Sequence, residues 1–150
     1  MEKVKIKKAS DNSILPKRAT DGSAAFDIFV QEGMFIEEGK RTIVPAGFHI
    51  ELPKGYYAEI RPRSGYSAKG FASSENGRYN ADVLHGLIDP DYRAEVGVII
   101  HNNDNTFYID RGQRIAQMLI CKYEDVALEE TDELTKTERQ NGGFGSTGER

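Results

Sequence analysis

Apolar residues in this chain come in short bursts that alternate with polar neighbours, and turn residues part the bursts at intervals of about ten residues. Val4 and Ile6 alternate with lysines, Phe26-Asp27-Ile28-Phe29-Val30 is rich in strand formers, and Met34-Phe35-Ile36 runs into an acidic turn at 37–39. Further strands are predicted over 43–52, where Pro45 and Gly47 interrupt, and over 56–60, 83–88, 94–100, 107–109 and 115–123. No sustained helical period appears except over the mostly polar stretch 128–138, and residues 66–74 are expected to form one short helix. Ser73 to Asn80 read as an exposed loop. The pattern predicts an all-β sandwich or barrel-like fold with no repeat, linker or internal boundary.

Two runs break the alternation. Val96 to Ile100 and Ile115 to Ile120 put apolar groups on both faces of a strand, so both faces need cover. A chain of 150 residues, one domain by its length, has little left to supply that cover, and an oligomer is expected. With 24 acidic against 20 basic residues, the net charge is −4 and no basic stripe offsets it, which argues against a nucleic-acid binder. The one cysteine, Cys121, cannot form an intrachain disulfide and is expected as a buried small hydrophobe in a reducing compartment. Met1 to Lys5 lack the apolar core of a signal peptide, and no stretch reaches the ~20 apolar residues of a membrane span. A soluble cytoplasmic protein with no membrane partner is the expectation. His49, His85 and His101 lack ligand-like spacing, which disfavours a zinc site.

The candidate chemistry starts at the C-terminus. Arg139 to Gly148 hold four glycines, one ring (Phe144), the hydroxyls of Ser146 and Thr147, and no aliphatic side chain. Such a segment cannot offset its ordering entropy by burial, so a ligand must order it. Glycine amides, two hydroxyls and the Arg139 fork suit phosphate oxygens, and a flat ring suits a nucleobase.

Three interior constellations fit the same ligand. Arg61-Pro62-Arg63-Ser64-Gly65 follows a strand and precedes the expected helix, a reasonable phosphate pocket or simply a basic turn. In Gly86-Leu87-Ile88-Asp89-Pro90-Asp91-Tyr92, the proline biases Asp89 toward extended geometry, from which its carboxylate can take a proton from an attacking water. Tyr92 can then pack its ring on a sugar. Gln117, among apolar neighbours in Gly112 to Gln117, needs a hydrogen-bond partner that a phosphate or a backbone group can provide.

In this order the segments resemble the five motifs of the trimeric dUTPase family, the all-β dUTP diphosphatases. The match runs through Ala24-Ala25-Phe26-Asp27-Ile28, Pro62-Arg63-Ser64-Gly65, Gly86 to Arg93, Gly112 to Gln117, and Arg139 with Gly142 to Gly148. The resemblance implies a distorted β-barrel or jelly-roll-like domain spanning 1–150, with a β core over 1–138 and a mobile tail over 139–150 that closes on a neighbouring subunit. It implies hydrolysis of dUTP to dUMP and pyrophosphate in a homotrimer with shared sites, which keeps uracil out of DNA and supplies dUMP for thymidylate synthesis. Asp89 is expected as the general base and Tyr92 as the ring under deoxyribose. Arg63, Ser64, Gly65 and Gln117 are expected to hold phosphate, as are Arg139, Gly145, Ser146 and Thr147 from the tail, with Phe144 on uracil. Asp27 is expected to support the site from behind. Mg²⁺ is expected to be held by phosphates and water, without a protein ligand.

The chain departs from the family at several points. Ala25 and Ala94 stand where glycine is usual, the segment from Lys69 to Gly86 is longer, and Val83 replaces an asparagine with which some relatives read uracil. Base reading is therefore expected from the main chain around Val83, Leu84 and Ile88, or from Asn80. A related deaminase acting on dCTP would need a glutamate beside the base, with Glu95 the nearest candidate. A nucleotide sensor that closes without hydrolysis is the other reading.

Overall fold

Short runs of β-branched and aromatic residues between turns become thirteen strands and one helix in the computed structural model, which describes residues 1–150. A four-stranded sheet takes the order β10 (Gly86–Ile88), β6 (Tyr56–Arg61), β13 (Arg114–Lys122), β2 (Phe26–Phe29). A three-stranded sheet takes the order β4 (Arg41–Pro45), β11 (Gly97–Asn102), β9 (Ala81–Val83). Two-stranded ribbons flank them: β1 (Lys5–Lys8) with β5 (Phe48–Glu51), β3 (Met34–Ile36) with β12 (Phe107–Ile109), and β7 (Phe71–Ala72) with β8 (Arg78–Tyr79). Every strand pairing is antiparallel, and one cluster of 22 buried residues fills the interior. The all-β expectation holds. No helix is long and apolar enough to cross a membrane.

The two-faced apolar runs take ordinary pleated form. Val98 and Ile100 point into the core, while Ile99 lies on the opposite face beside its cross-strand partner Ile43, which is 70% exposed. On the outer face of the four-stranded sheet, Leu87 is 64% exposed and Leu119 and Cys121 are half-buried. Cys121 is thus not the core residue expected; it lies across from Tyr57 on a face that this chain leaves open. Asn102 is fully buried, and its amide is satisfied by the carbonyls of Ile36 and Asn105 and by the N–H of Asp104.

Three expectations need correction. The helix, α1, covers Ser64–Lys69 rather than 66–74. It stops because Gly70 adopts φ 92°, a region open to glycine, and a side chain there would press on the Tyr79 carbonyl at 3.1 Å. Residues 73–80 are no loose loop but the turn and return strand of the β7–β8 hairpin. Tyr79 stacks on Phe107 at 4.5 Å between ring centres, and Phe71 packs against both Phe107 and Tyr66. Residues 128–138 form neither helix nor strand and are exposed throughout; an isolated polar helix of that length is marginal without a surface to pack on. The run 83–88 divides between two sheets, β9 ending at Val83 and β10 starting at Gly86.

Candidate active site

Strand β6 delivers Arg61 to the rim of a cavity of about 580 Å³, and the chain then turns through Pro62 into α1. Arg63, Ser64 and Gly65 line this cavity from that turn, Asp27 from β2 and Gln117 from β13. Their assembly follows from sheet register, which sets Gln117 opposite both Asp27 and Arg61. Gln117 donates from Nε2 to the Pro62 carbonyl at 3.0 Å, which leaves its second amide hydrogen for a ligand. The N–H groups of Ser64 and Gly65 donate to no acceptor in this chain.

Asp27 is buried and touches two guanidiniums, Arg63 Nε at 3.8 Å and Arg114 Nε at 3.5 Å. Arg63 also donates to the Arg114 carbonyl and lies 5.6 Å from the centre of the Tyr66 ring. Asp27 thereby aims Arg63 rather than facing the cavity as a free acid. The cavity wall carries Arg61, Arg63, Lys69 and Arg78 against this single carboxylate. In a chain of net charge −4, that is a sharply local cationic surface suited to a polyanion.

Beside the cavity, Arg61 holds Glu59, with Nε and Nη2 each 2.8 Å from Oε2. Tyr57 donates its hydroxyl to Oε1 at 3.3 Å, and His85 Nε2 lies 3.6 Å from Oε2. Burial works to raise the Glu59 pKa, but the Arg61 charge and hydrogen bonds, the Tyr57 hydroxyl and the His85 charge outweigh it, so the carboxyl titrates below its ordinary value. Burial and the Glu59 charge push the Tyr57 hydroxyl up.

The remaining candidates lie elsewhere. Asp89 is exposed in a turn in which its carbonyl accepts the Tyr92 N–H at 3.1 Å, and its carboxylate has no hydrogen-bond or ion-pair partner. Arg93 braces this turn by donating to the Pro90 and Tyr92 carbonyls. The Tyr92 ring is 38% exposed and its hydroxyl donates to the Glu95 carbonyl at 2.9 Å. Register pairs Ile88 with Ala58, so Asp89 falls beside Tyr57, six residues before Arg63. At about 3.3 Å per residue the two are separated by on the order of 20 Å. One copy of the chain does not bring its own Asp89 to its own phosphate cavity.

The side chains of Val83 and Ile88 are buried in the core and cannot read a base. Their main chain can: β9 and β10 are each the edge strand of a different sheet and do not pair with one another. Asn80 is pinned at this opening, its N–H bonded to Asp104 Oδ2 and its carbonyl to the Asn103 N–H. Glu95 instead accepts the Gly47 N–H, away from the base strands, so the deaminase reading loses its candidate acid. Beyond Tyr123 the chain makes no hydrogen bond to its own body. Arg139, Phe144, Gly145, Ser146 and Thr147 are all exposed.

Sequence reasoning missed Arg114 behind Asp27, and Lys69 and Arg78 on the cavity wall. For Lys69 and Arg78 the signal was hidden, because only the α1 and hairpin geometry turns them toward Arg63.

An all-β fold around a cation-walled cavity defines a class of proteins that receive compact polyanions such as nucleotide phosphates. The dUTPase family model matches residues 11–148, and the chain belongs to that family of hydrolases. The deoxyuridine 5'-triphosphate nucleotidohydrolase of Hydrogenobaculum sp. is 43% identical over 97% of this chain and 98% of its own length. That of Rickettsia felis is 43% identical over 97% and 96%. Among solved structures, the Staphylococcus bacteriophage 80alpha dUTPase with dUpNHpp superposes with a TM-score of 0.87 at 23% identity, over 99% of each chain.

Proposed function

We propose that this enzyme hydrolyses dUTP to dUMP and pyrophosphate, at sites that three copies of the chain complete together. The observation that carries this reading is the cavity of Arg63, Ser64, Gly65 and Gln117, with Arg63 aimed by Asp27, in a chain of the dUTPase family. The phosphate chain lies against the Arg63 fork, the Ser64 and Gly65 amides and the second Gln117 amide hydrogen. Asp89 of a neighbouring copy takes a proton from water as the water oxygen bonds to the α-phosphorus. The bond from the α-phosphorus to its bridging oxygen breaks, and pyrophosphate leaves with the electron pair. Tyr92 packs under deoxyribose and excludes a 2′-hydroxyl, while the facing edges of β9 and β10 read uracil through the main chain. The tail then brings Arg139, Gly145, Ser146 and Thr147 to the phosphates and Phe144 to the base, and excludes bulk water.

Asp27, the cavity's one carboxylate, is engaged by Arg63 and Arg114, and no cluster of three His, Cys, Asp or Glu side chains forms a ligand set. This donor chemistry fits Mg²⁺ that arrives with the triphosphate, held by phosphate oxygens and water, where it neutralises charge on the leaving group. The neighbouring dUTPase of phage phi11 of S. aureus is described with a structural Mg(II) ion. The enzyme acts on the cytoplasmic nucleotide pool, where it keeps uracil out of DNA and supplies dUMP for thymidylate synthesis. Pyrophosphate release with Mg²⁺ from dUTP, dCTP, dTTP and UTP tests the reading. Release from dUTP alone is expected; none from dUTP would leave a nucleotide sensor.

A further inference from the structure

The long segment between α1 and β9 has so far been treated as support. It also carries Arg78, one strand residue past the hairpin turn, to the wall of the phosphate cavity. The placement is built rather than incidental. Gly70 ends α1 at φ 92° and lets β8 lie close, and its carbonyl accepts a hydrogen bond from Arg78 Nη1 at 3.2 Å. The Arg78 guanidinium sits 5.9 Å from the centre of the Tyr66 ring, the same ring that Arg63 approaches at 5.6 Å. Tyr66 is in turn fixed by Gln113, which donates to its hydroxyl at 3.0 Å and to the Ala72 carbonyl at 2.7 Å. One ring therefore sets the positions of two arginines facing one cavity.

Arg78 differs from the other cavity arginines in its charge partners. Arg61 is paired with Glu59 and Arg63 with Asp27, whereas neither Arg78 nor Lys69 has a carboxylate within ion-pair distance. A guanidinium has five N–H donors, of which the Gly70 carbonyl uses one. Two unpaired cations beside a paired phosphate-binding arginine favour an anion larger than a single phosphate.

We propose that Arg78, assisted by Lys69, is a further substrate-binding residue that grips the phosphate chain, so that the β7–β8 hairpin forms part of the nucleotide site. This rests on the dUTP-hydrolase reading above. It makes the long segment a device for phosphate affinity, with the fork of Arg78 reaching oxygens that Arg63 leaves exposed.

The test compares wild type, Arg78→Gln and Arg78→Lys with Mg²⁺, by steady-state hydrolysis of dUTP and by binding of dUMP and of the non-hydrolysable dUpNHpp. Arg78→Gln is expected to raise KM for dUTP and weaken dUpNHpp binding about 10-fold, equal to roughly 1.4 kcal/mol. Binding of dUMP should change less than about twofold, kcat should fall no more than about twofold, and Arg78→Lys should recover part of the loss. If Arg78 only braces the hairpin, Arg78→Gln lowers the melting temperature while KM stays at the wild-type value, and the proposal is overturned. Equal weakening of dUMP and dUpNHpp also overturns it. Absence of turnover in wild type would instead reject the parent reading, so the two failures are distinguishable.

Discussion

Asp89 is the residue on which the chemistry turns, and its surroundings suit that role: an exposed carboxylate, without partners, held out by a turn that Arg93 braces. Asp89→Asn keeps the shape and removes the base, so turnover should drop by ~10² or more while dUpNHpp binding persists, as single-turnover and binding measurements would reveal. Asp89 and Arg63 were legible in the sequence because each sits in a short motif whose local chemistry is unusual. Arg114 was not, because its contact with Asp27 depends on the pairing of β13 with β2. Val83 and Ile88 could be named from sequence, but the burial of both side chains emerges only from the fold, and it confines them to a main-chain role.

Among the elements, the β7–β8 hairpin departs most from its sequence reading. A polar run with Asn76-Gly77 reads as a loop, yet Phe71 and Tyr79 on either side anchor it to Phe107 and Tyr66. Aromatic contacts between distant segments do not register in a local hydropathy pattern. Phe71 is completely buried, so Phe71→Ala should cost about 3–5 kcal/mol in urea unfolding, the usual range for a buried phenylalanine. Strand β6 carries a pH-sensitive group in Glu59, whose folded pKa lies below its ordinary value of 4.5. A depressed carboxyl adds stability that is present above that value and lost as pH falls through the folded pKa. The melting temperature of wild type should therefore fall more steeply below about pH 4.5 than that of Glu59→Gln, and parallel curves would assign the acid sensitivity to other groups.

For the whole molecule, the strand count and all-β class were readable because alternation and turn spacing are local properties. The division of the site was not: it follows from β10 running antiparallel to β6, which sends Asp89 away from Arg63. The exposed tail and the uncovered Ile43 and Leu87 agree with a chain completed by its own copies. A chain ending at Glu138 should keep its melting temperature, because residues 139–150 make no hydrogen bond to the body, yet lose ~10² in kcat/KM for want of closure.

The most direct test of the shared site mixes two inactive chains, Asp89→Asn and the chain ending at Glu138, unfolds them together and refolds them before assaying dUTP hydrolysis. If one copy supplies Asp89 and another the tail, activity should return to about a quarter of wild type, the random fraction of sites with both contributions intact. If each chain serves only its own site, the mixture stays as inactive as its parts and the account of a site divided among copies is contradicted.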